Sequence, residues 1–311
     1  MKTSQSRRKF IRKAAFGAAG AMALGQFGLY GCKNTGGQQA ATTAAAASGD
    51  VPPVGIQLYT VRDGIAQDLT SSLQKVADIG YKELELAGYA DGMFYGLPPA
   101  EFKKMVEDMG MTVISSHTGV EIKGVDTSNA EAMAEAHAEL GVKYCIKPWL
   151  VEERRTTIDS YKQVADELNT IGEIMAKYNI QFGYHNHAFE FDTVEGKIPY
   201  YDVLIPETDP KLVVLEIDLY WANKAGHDPV EIFNKYPGRF GLWHVKDMTD
   251  TEDQFFAPVG TGVIDFKRIF AAKETAGMKH FFVEQDSTRE GVDAFDSIET
   301  SYDNLTNDIL A

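Results

Sequence analysis

Cysteine is scarce in this sequence. The 311 residues include two cysteines, Cys32 and Cys145. Cys32 belongs to a short N-terminal segment that differs in composition from the rest of the chain and is expected to be processed separately. With Cys32 used there, no disulfide can form within the body of the chain. Its stability must therefore come from a hydrophobic core.

Positive charge is scarce over most of the chain. The formal charge is −15, although residues 1–32 contain six basic residues and no acid. Subtracting those six charges leaves a formal charge of about −21 for the remainder. So acidic a body repels phosphate backbones and anionic lipid headgroups, which argues against nucleic acid as a partner.

Two further features are missing. The apolar run of the N-terminal segment, residues 14–29, is too short and too rich in glycine to read as a membrane span. No glycine-rich phosphate loop follows the first apolar run of the body, which argues against a dinucleotide-binding fold.

The N-terminal segment contains two motifs of exported proteins. Residues 6–12, Ser-Arg-Arg-Lys-Phe-Ile-Arg, resemble the twin-arginine signal. Residues 29–32, Leu-Tyr-Gly-Cys, resemble a lipoprotein processing site, although Tyr30 is larger than the residue usual at that position. These motifs predict export by the twin-arginine route to the periplasm or cell envelope, with a lipid anchor at Cys32 as the protein's contact with a membrane.

The composition divides the chain into three parts. Residues 1–32 are the signal, and residues 33–50, rich in Ala, Thr, Gly and Gln, are typical of a flexible linker. Residues 51–311 are expected to form one catalytic domain. A length of about 260 residues matches the usual size of an eight-fold α/β barrel.

From Val54 onward, short apolar runs alternate with helical stretches that often end in glycine. Strands buried on both faces have this composition, and their alternation with helices favours a parallel sheet. The eight predicted strands are Val54–Tyr59, Glu83–Ala87, Thr112–His117, Lys143–Lys147, Gln181–His185, Leu212–Asp218, Gly241–Lys246 and His280–Gln285. A last helix is predicted from about Val292 to Leu310. Eight units in one domain favour a closed (β/α)8 TIM barrel over an open doubly wound sheet.

Four consecutive predicted strands end in an imidazole or a carboxylate: His185, Asp218, His244 and Glu284. The active site of such a barrel lies at the C-terminal ends of its strands, so these side chains would point toward one axis. A buried cluster of this kind needs a cation to offset the cost of burying its charges. Two imidazoles with two carboxylates suit Mn²⁺, Co²⁺, Fe²⁺ or Zn²⁺, and the sequence therefore predicts a divalent metal site.

The chain resembles the xylose-isomerase-like superfamily over residues 52–311. The segments that carry the resemblance are 55–60 (Gly-Ile-Gln-Leu-Tyr-Thr), 184–187 (Tyr-His-Asn-His), 218–221 (Asp-Leu-Tyr-Trp), 225–229 (Ala-Gly-His-Asp-Pro), 244–247 (His-Val-Lys-Asp), 260–266 (Gly-Thr-Gly-Val-Ile-Asp-Phe) and Glu284. This superfamily includes sugar isomerases, keto-sugar 3-epimerases, inosose dehydratases and the endonuclease IV group. The resemblance implies a metal held by the ends of strands five to eight, and it places the ligands on His185, Asp218, His244 and Glu284.

One position departs from the family pattern. Many members have Glu-Asn-His where this chain has His185-Asn186-His187. In the epimerases, that glutamate and the glutamate of strand eight flank the substrate and exchange a proton between its two faces. Glu284 keeps this role here, so the second acid or base would have to be His185, His187 or Glu190.

Other strand-end residues are candidates for substrate binding. They are Gln57, Tyr59, Arg62, Glu85, His117, Lys147 and Trp221. Arg62, Lys147 and the catalytic candidate Lys246 could stabilise an enolate, since a cation beside a developing oxyanion lowers the barrier, or could form salt bridges with neighbouring acids. His117 could contact the substrate or be structural, and Trp221 could stack on a sugar ring or fill the core.

The first hypothesis is a metal-dependent isomerase or epimerase that acts on an unphosphorylated sugar or keto-sugar by removing a proton beside a carbonyl. A second is a 3-keto-glycoside lyase or dehydratase in which the same enolate expels a leaving group. A third is a non-catalytic lipoprotein that binds glycans. The expected partner is a small carbohydrate, and a homo-oligomer is left open.

Overall fold

The computed structural model describes residues 52–118 and 129–311, so the predicted signal and linker lie outside the described residues. Eight parallel strands close a barrel in which each strand pairs with its neighbours in sequence and β1 pairs with β8. The strands are β1 Gly55–Gln57, β2 Glu83–Leu86, β3 Thr112–His117, β4 Tyr144–Lys147, β5 Gln181–His185, β6 Val213–Asp218, β7 Leu242–Val245 and β8 His280–Val283. This confirms the predicted (β/α)8 barrel.

Helices connect the strands on the outside. The α-helices are Arg62–Gln67, Leu69–Ile79, Pro99–Asp108, Ala130–Leu140, Ile158–Ala176, Ile205–Glu207, Leu219–Lys224, Pro229–Lys235, Phe266–Ala271, Lys273–Ala276 and Ala294–Asn304. Short 3₁₀ turns are Leu58–Val61, Glu152–Arg154 and Phe189–Phe191, and π turns are Tyr200–Leu204 and Leu305–Ile309. Gly141 and Gly277 end their helices with φ of 90° and 82°, a left-handed conformation that favours glycine. No helix of residues 52–118 and 129–311 is long and apolar enough to span a membrane.

Strands β1, β2, β7 and β8 end earlier than predicted, and after β7 and β8 the chain leaves the barrel to form the site. Strand β7 ends at Val245, and Asp247–Met248 then pairs with Phe256–Ala257 as a small antiparallel ribbon. Strand β8 ends at Val283, so Glu284 follows the last residue of the strand rather than lying within it. The last helix is also shorter than predicted, since Ala294–Asn304 is followed by a π turn.

The barrel interior contains an apolar plug below the polar site. The plug consists of five buried side chains, Ile114, Ile146, Val214, Leu242 and Phe282. Gly183 of β5 leaves the room that it needs, because a Cβ there would lie 2.4 Å from the Cδ1 atom of Ile146 and 2.7 Å from Cγ1 of Val214. A separate and larger apolar cluster fills the space between strands and helices.

Cys145 and His137 are both buried and belong to the scaffold. Burial raises the pKa of the Cys145 thiol to about 12, which keeps it protonated and unreactive. Burial lowers the pKa of His137 to about 4. The hydrogen bond from its Nδ1 atom to the Met133 carbonyl, at 2.7 Å, acts in the opposite direction but is outweighed. Its Nε2 atom is buried and has no hydrogen-bond partner in the part of the chain that the structure describes. His137 is therefore neutral in the folded protein at pH 7.

We expect this histidine to make the fold sensitive to acid. The unfolded chain would take up the proton near pH 6.5 and the folded chain near pH 4, so stability should fall as the pH drops through this window. The substitution His137→Gln keeps a donor for Met133 but does not titrate. It should reduce the loss of unfolding free energy between pH 7 and pH 4 by about 3 kcal/mol. Urea unfolding of both proteins across this range measures the difference, and parallel pH profiles would contradict it.

Candidate active site

The alternation of side chains along the strands places a polar layer directly above the apolar plug. Residues two apart in a strand share a face. On β6, Val214 belongs to the plug, and Glu216 and then Asp218 follow it on the same face. The same succession leads from Leu242 to His244 on β7, and from Phe282 to Glu284 at the end of β8.

Histidines and carboxylates of this layer form two groups that could hold a metal ion. One group is Asp218, His244 and Glu284, and the other is His117, His185, Glu216 and His244. Within each group the candidate ligand atoms all lie within 4.8 Å of one another, and every member is buried. The four predicted ligands lie at the ends of β5 to β8 but are divided between the two groups, with His185 in one, Asp218 and Glu284 in the other, and His244 in both. His185 Nε2 lies 3.9 Å from Asp218 Oδ2.

His244 is shared by both groups and lies between carboxylates. Its Nδ1 atom donates to Glu284 Oε2 at 2.7 Å, and its Nε2 atom donates to Glu85. Burial disfavours the charged imidazole, but Glu216, Glu284 and Glu85 outweigh that cost and raise the pKa of His244 well above its usual value. These carboxylates therefore favour the protonated, positively charged form of His244.

His117 and Glu216 form a second buried pair. The His117 Nε2 atom donates to Glu216 Oε2 at 2.6 Å. Burial and the neighbouring charge of Glu85 raise the pKa of Glu216 to about 7. For His117, burial opposes the charge, but Glu85 and Glu216 raise its pKa above the usual value. Glu216 was not among the residues predicted for the site, although its position two residues before Asp218 places it on the same face.

Lys246 has a buried ammonium group surrounded by acids. Its Nζ atom lies 2.9 Å from Asp218 Oδ2, 2.7 Å from Glu284 Oε2 and 2.8 Å from Asp286 Oδ1. Burial opposes the charge, but these three carboxylates raise the pKa of Lys246 well above its usual value. Burial in turn raises the pKa of Asp286 to about 6, in spite of the ammonium. Lys246 therefore forms salt bridges, which were one of its two predicted roles, and it also lines the pocket.

The donor set fits a divalent metal. Five carboxylates converge on Lys246 and on three imidazoles, so the layer has acids in excess of its fixed positive charge: Glu85, Glu216, Asp218, Glu284 and Asp286. Among the described residues, the buried atoms His185 Nδ1, Glu216 Oε1 and Asp218 Oδ2 have no hydrogen-bond partner, although Asp218 Oδ2 lies 2.9 Å from the Lys246 ammonium. Burial, followed by the charge of His244, lowers the pKa of His185 well below its usual value, so this imidazole is neutral and free to act as a ligand. Imidazole nitrogens mixed with carboxylate oxygens suit zinc, iron, cobalt or manganese.

A pocket of about 550 Å³ opens above this layer. One part of its lining is polar and consists of His117, His185, Lys246, Glu284 and Asp286. The rest is largely aromatic and includes Tyr59, Trp149, His187, Phe189 and Trp221. Burial lowers the pKa of His187 to about 3, and its buried Nδ1 atom has no hydrogen-bond partner within residues 52–118 and 129–311. The pocket therefore combines titratable groups with a surface on which an apolar ring face could lie.

Two residues predicted to bind the substrate, Gln57 and Glu85, lie behind the pocket surface. Glu85 is fully buried and accepts hydrogen bonds from Gln57 Nε2 at 2.9 Å, from Ser115 Oγ at 2.6 Å and from His244. Gln57 is also fully buried. These contacts orient His244 rather than a substrate, because the strand alternation places both side chains below the open cavity.

Glu190, predicted as a catalytic candidate, also lies behind the wall. Its carboxylate accepts hydrogen bonds from the Tyr184 hydroxyl at 2.6 Å and from the His187 backbone N–H at 2.8 Å. Burial raises the pKa of Glu190 to about 8. Since its side chain is fully buried and both oxygens are engaged, Glu190 holds the turn that presents His187 to the pocket.

The remaining substrate-binding candidates differ in position. Tyr59 and Trp221 line the pocket, as does His117. Arg62 stacks its guanidinium 4.1 Å from the centre of the Tyr59 ring and donates to the Tyr59 carbonyl at 2.8 Å, so it supports Tyr59 from outside. Lys147 is buried at the end of β4 but is not among the residues that line the cavity in the described part of the chain.

The motif His244-Val245-Lys246-Asp247 and the Gly260–Phe266 segment are joined by one carboxylate. Asp247 Oδ2 accepts the backbone N–H groups of Gly260 at 3.0 Å and Gly262 at 2.8 Å. A Cβ on Gly262 would lie 2.2 Å from the Met248 carbonyl oxygen, so this approach requires glycine. The two glycines therefore shape a loop that fixes the chain directly after Lys246.

A closed parallel barrel with this polar layer at its C-terminal end is the architecture of TIM-barrel enzymes. The profile of the xylose isomerase-like TIM barrel family matches residues 73–302. The chain belongs to this family.

Individual relatives agree with that assignment. An inosose dehydratase of Geobacillus kaustophilus (strain HTA426) is 27% identical over 259 residues, which cover 71% of this chain and 78% of the relative. A sugar phosphate isomerase/epimerase from Parabacteroides distasonis ATCC 8503 has a crystal structure similar to this chain, with 30% identity, a TM-score of 0.73, and coverage of 87% of this chain and 99% of that one. The IOLI protein, whose structure has a bound zinc atom, shares the fold at 17% identity, with a TM-score of 0.65 and coverage of 83% and 98%.

Proposed function

We propose that this protein is a divalent-metal-dependent sugar isomerase or epimerase that removes a proton beside a carbonyl of an unphosphorylated sugar or keto-sugar. The observation that carries the proposal is the contact of Glu284 with both Lys246 and His244 at the pocket floor. It supplies a carboxylate base beside a buried ammonium group, which is the combination that enolate formation requires.

His185, Asp218, His244 and Glu284 would hold the metal ion. When bound, such an ion polarises carbonyl and hydroxyl oxygens and so acidifies the C–H bond between them. The structure of the IOLI protein, with its bound zinc, and the excess of carboxylates in this layer support the assignment.

The chain's own groups would handle the proton. His244 and Lys246 hold Glu284 Oε2 from two directions, so the carboxylate has a fixed orientation toward the cavity it lines. Burial would raise its pKa, but Lys246 and His244 keep the pKa of Glu284 well below its usual value, so it is ionised at neutral pH. Lys246 would donate a hydrogen bond to the oxyanion that develops on the substrate. His185 and His187, neutral and at the pocket wall, are the candidates to serve the other side of the substrate.

The scarcity of cationic side chains in the described lining of the pocket favours an unphosphorylated substrate. Among the lining residues that the structure describes, Lys246 is the one lysine or arginine, and three carboxylates already surround it. A phosphate group there would face Glu284 and Asp286 rather than a cluster of arginines.

Elimination is the second candidate, and two observations favour it. The Geobacillus kaustophilus relative is named an inosose dehydratase. The position at which many epimerases have a second carboxylate is His185, which is neutral and buried here. In this version the same enolate expels water or an aglycone from the neighbouring carbon, and Asp286 or Lys246 would donate the proton that the leaving group needs.

Proton exchange followed by NMR tests the proposal. Residues 51–311 would be reconstituted with Mn²⁺ and then exchanged into Zn²⁺ or Mg²⁺, and incubated in D2O with keto-sugars and 3-keto-glycosides. Deuterium entering a carbon of an intact sugar supports the isomerase or epimerase. Release of water or aglycone with an enone product supports elimination. The absence of exchange with every substrate would contradict both and favour a glycan-binding protein.

A further inference from the structure

The pocket extends beyond the polar floor as an aromatic groove. His187 lies in its wall and contacts both tryptophans, with ring centroids 4.6 Å from Trp149 and 5.6 Å from Trp221. Phe189 stacks on His187 at an angle of 6° and meets the Trp149 ring edge-on at 5.0 Å. We call these four residues, Trp149, His187, Phe189 and Trp221, the aromatic groove.

The aromatic groove packs against the core at Phe189 and Trp221 but reaches solvent at Trp149. Trp149 keeps 40% of its surface exposed, whereas Trp243, the largest fully buried side chain, is enclosed within the apolar core. Leaving so large an apolar surface in water is unfavourable unless a ligand covers it. The Nε1 atom of Trp221 adds a second signal, because Trp221 lines the pocket and this buried donor has no hydrogen-bond partner among the residues that the structure describes.

A second hollow continues the pocket on the side of β4 and β5. Its volume is about 360 Å³, and Phe189 and Asp192 line both cavities. Arg155 lines the second hollow and stacks its guanidinium 4.0 Å from the centre of the Phe189 ring and 5.1 Å from that of Trp149. The groove therefore ends at a guanidinium and a carboxylate, which are groups that bind hydroxyls.

The volume of the main pocket also indicates a ligand larger than one sugar ring. At about 550 Å³ the main pocket alone is in the range of roughly 300–1,000 Å³ that encloses drug-sized ligands. A single sugar ring placed on Glu284 and Lys246 is smaller than such ligands, and would leave the aromatic groove uncovered.

We propose that the substrate is a two-ring glycoside, with the reacting ring on the polar floor and a second sugar ring in the aromatic groove. A pyranose has apolar C–H faces and hydroxyls at its edges. The faces would lie against Trp149 and Trp221, and the edges would meet Arg155, Asp192 and the Trp221 N–H. This inference names the substrate class of the proposed function and rests on it, since the reacting ring is placed by Glu284 and Lys246.

Substitution of Trp149 tests the second ring separately from the chemistry. The probes are glucose and cellobiose for binding by calorimetry, and for turnover 3-keto-glucose and cellobiose oxidised at C3 of its non-reducing ring. We expect wild-type protein to bind cellobiose more tightly than glucose, and Trp149→Ala to weaken cellobiose binding about 10-fold or more. The same variant should raise KM for the oxidised disaccharide by a larger factor than it raises KM for 3-keto-glucose. Val151→Ala, which removes an exposed side chain two residues away, is the matched control.

The outcomes separate the two proposals. Tighter binding of cellobiose that depends on Trp149, without turnover of either keto-sugar, would support the second ring and contradict the proposed reaction. Equal binding of glucose and cellobiose, or equal effects of Trp149→Ala on both, would overturn the second-ring proposal. Tighter binding of a 4-nitrophenyl glucoside than of cellobiose would overturn the choice of a sugar in favour of an aromatic aglycone.

Discussion

The substitution Lys246→Met is expected to lower the free energy of unfolding of the metal-free protein by about 3–5 kcal/mol, the cost of breaking a buried ionic group by removing one partner. Methionine has a similar length and no charge. The variant would leave Asp218, Glu284 and Asp286, which lie 2.7–2.9 Å from the ammonium, without their shared counter-ion. Chemical denaturation at pH 7 in the presence of a chelator measures the loss.

Lys267→Met is the control for this prediction. Lys267 has an equally short ion pair with Asp308, at 2.7 Å, but both side chains are more than half exposed. Exposed pairs contribute about 0–1 kcal/mol, so this variant should unfold nearly as the wild type does. Equal losses of unfolding free energy in the two variants would show that the Lys246 ammonium does not stabilise the folded protein through the acids around it.

The same Lys246→Met protein should also bind divalent metal more tightly. The ammonium occupies Asp218 Oδ2 and Glu284 Oε2, which belong to two of the four candidate ligands, and therefore competes with a metal ion for them. Titration with Zn²⁺ against a competing chelator measures the affinity. Enzymatic activity should nevertheless fall, since no ammonium remains to stabilise the oxyanion. Weaker metal binding would contradict the assignment of Asp218 and Glu284 as ligands.

His244→Ala is expected to abolish stoichiometric metal binding, because His244 belongs to both groups of candidate ligands. Metal analysis after dialysis, with circular dichroism to check the fold, measures this directly. Asp218→Asn serves as a second variant that changes one ligand and preserves its shape. His280→Ala is the matched control. His280 lies at the start of β8, at the opposite end of the strand from Glu284, and pairs with Glu83 at 2.7 Å. Retention of a full equivalent of metal in His244→Ala would show that the ligand assignment is wrong.

The fold could be predicted because the barrel depends on features that repeat along the chain. Each strand is a short apolar run, and helices end at glycines such as Gly141 and Gly277, whose φ values require that residue. The C-terminal ends of the strands were less predictable. Lys246 and Glu284 continue apolar runs in the sequence, but the chain turns out of the barrel at Val245 and Val283 to form the site.

The candidate site could be predicted in outline because parallel strands bring their C-terminal ends together. The depth at which each side chain lies below the pocket could not be predicted. Glu85 and Glu190 are polar residues near strand ends, yet both are fully buried and act on His244 and His187 through hydrogen bonds. Glu216 was missed because each strand was interpreted by its last polar residue, although its period-two relation to Asp218 was available in the sequence.

The most direct test of the central claim is deuterium exchange with the Glu284→Gln protein. The claim is that proton transfer beside a carbonyl takes place in this pocket and that Glu284 is the base. With metal content measured and matched between the proteins, we expect Glu284→Gln to lower the rate of deuterium incorporation from D2O into a keto-sugar about 10²- to 10⁴-fold. The exposed Glu290→Gln should exchange as the wild type does. An undiminished rate in Glu284→Gln at equal metal content would contradict the account.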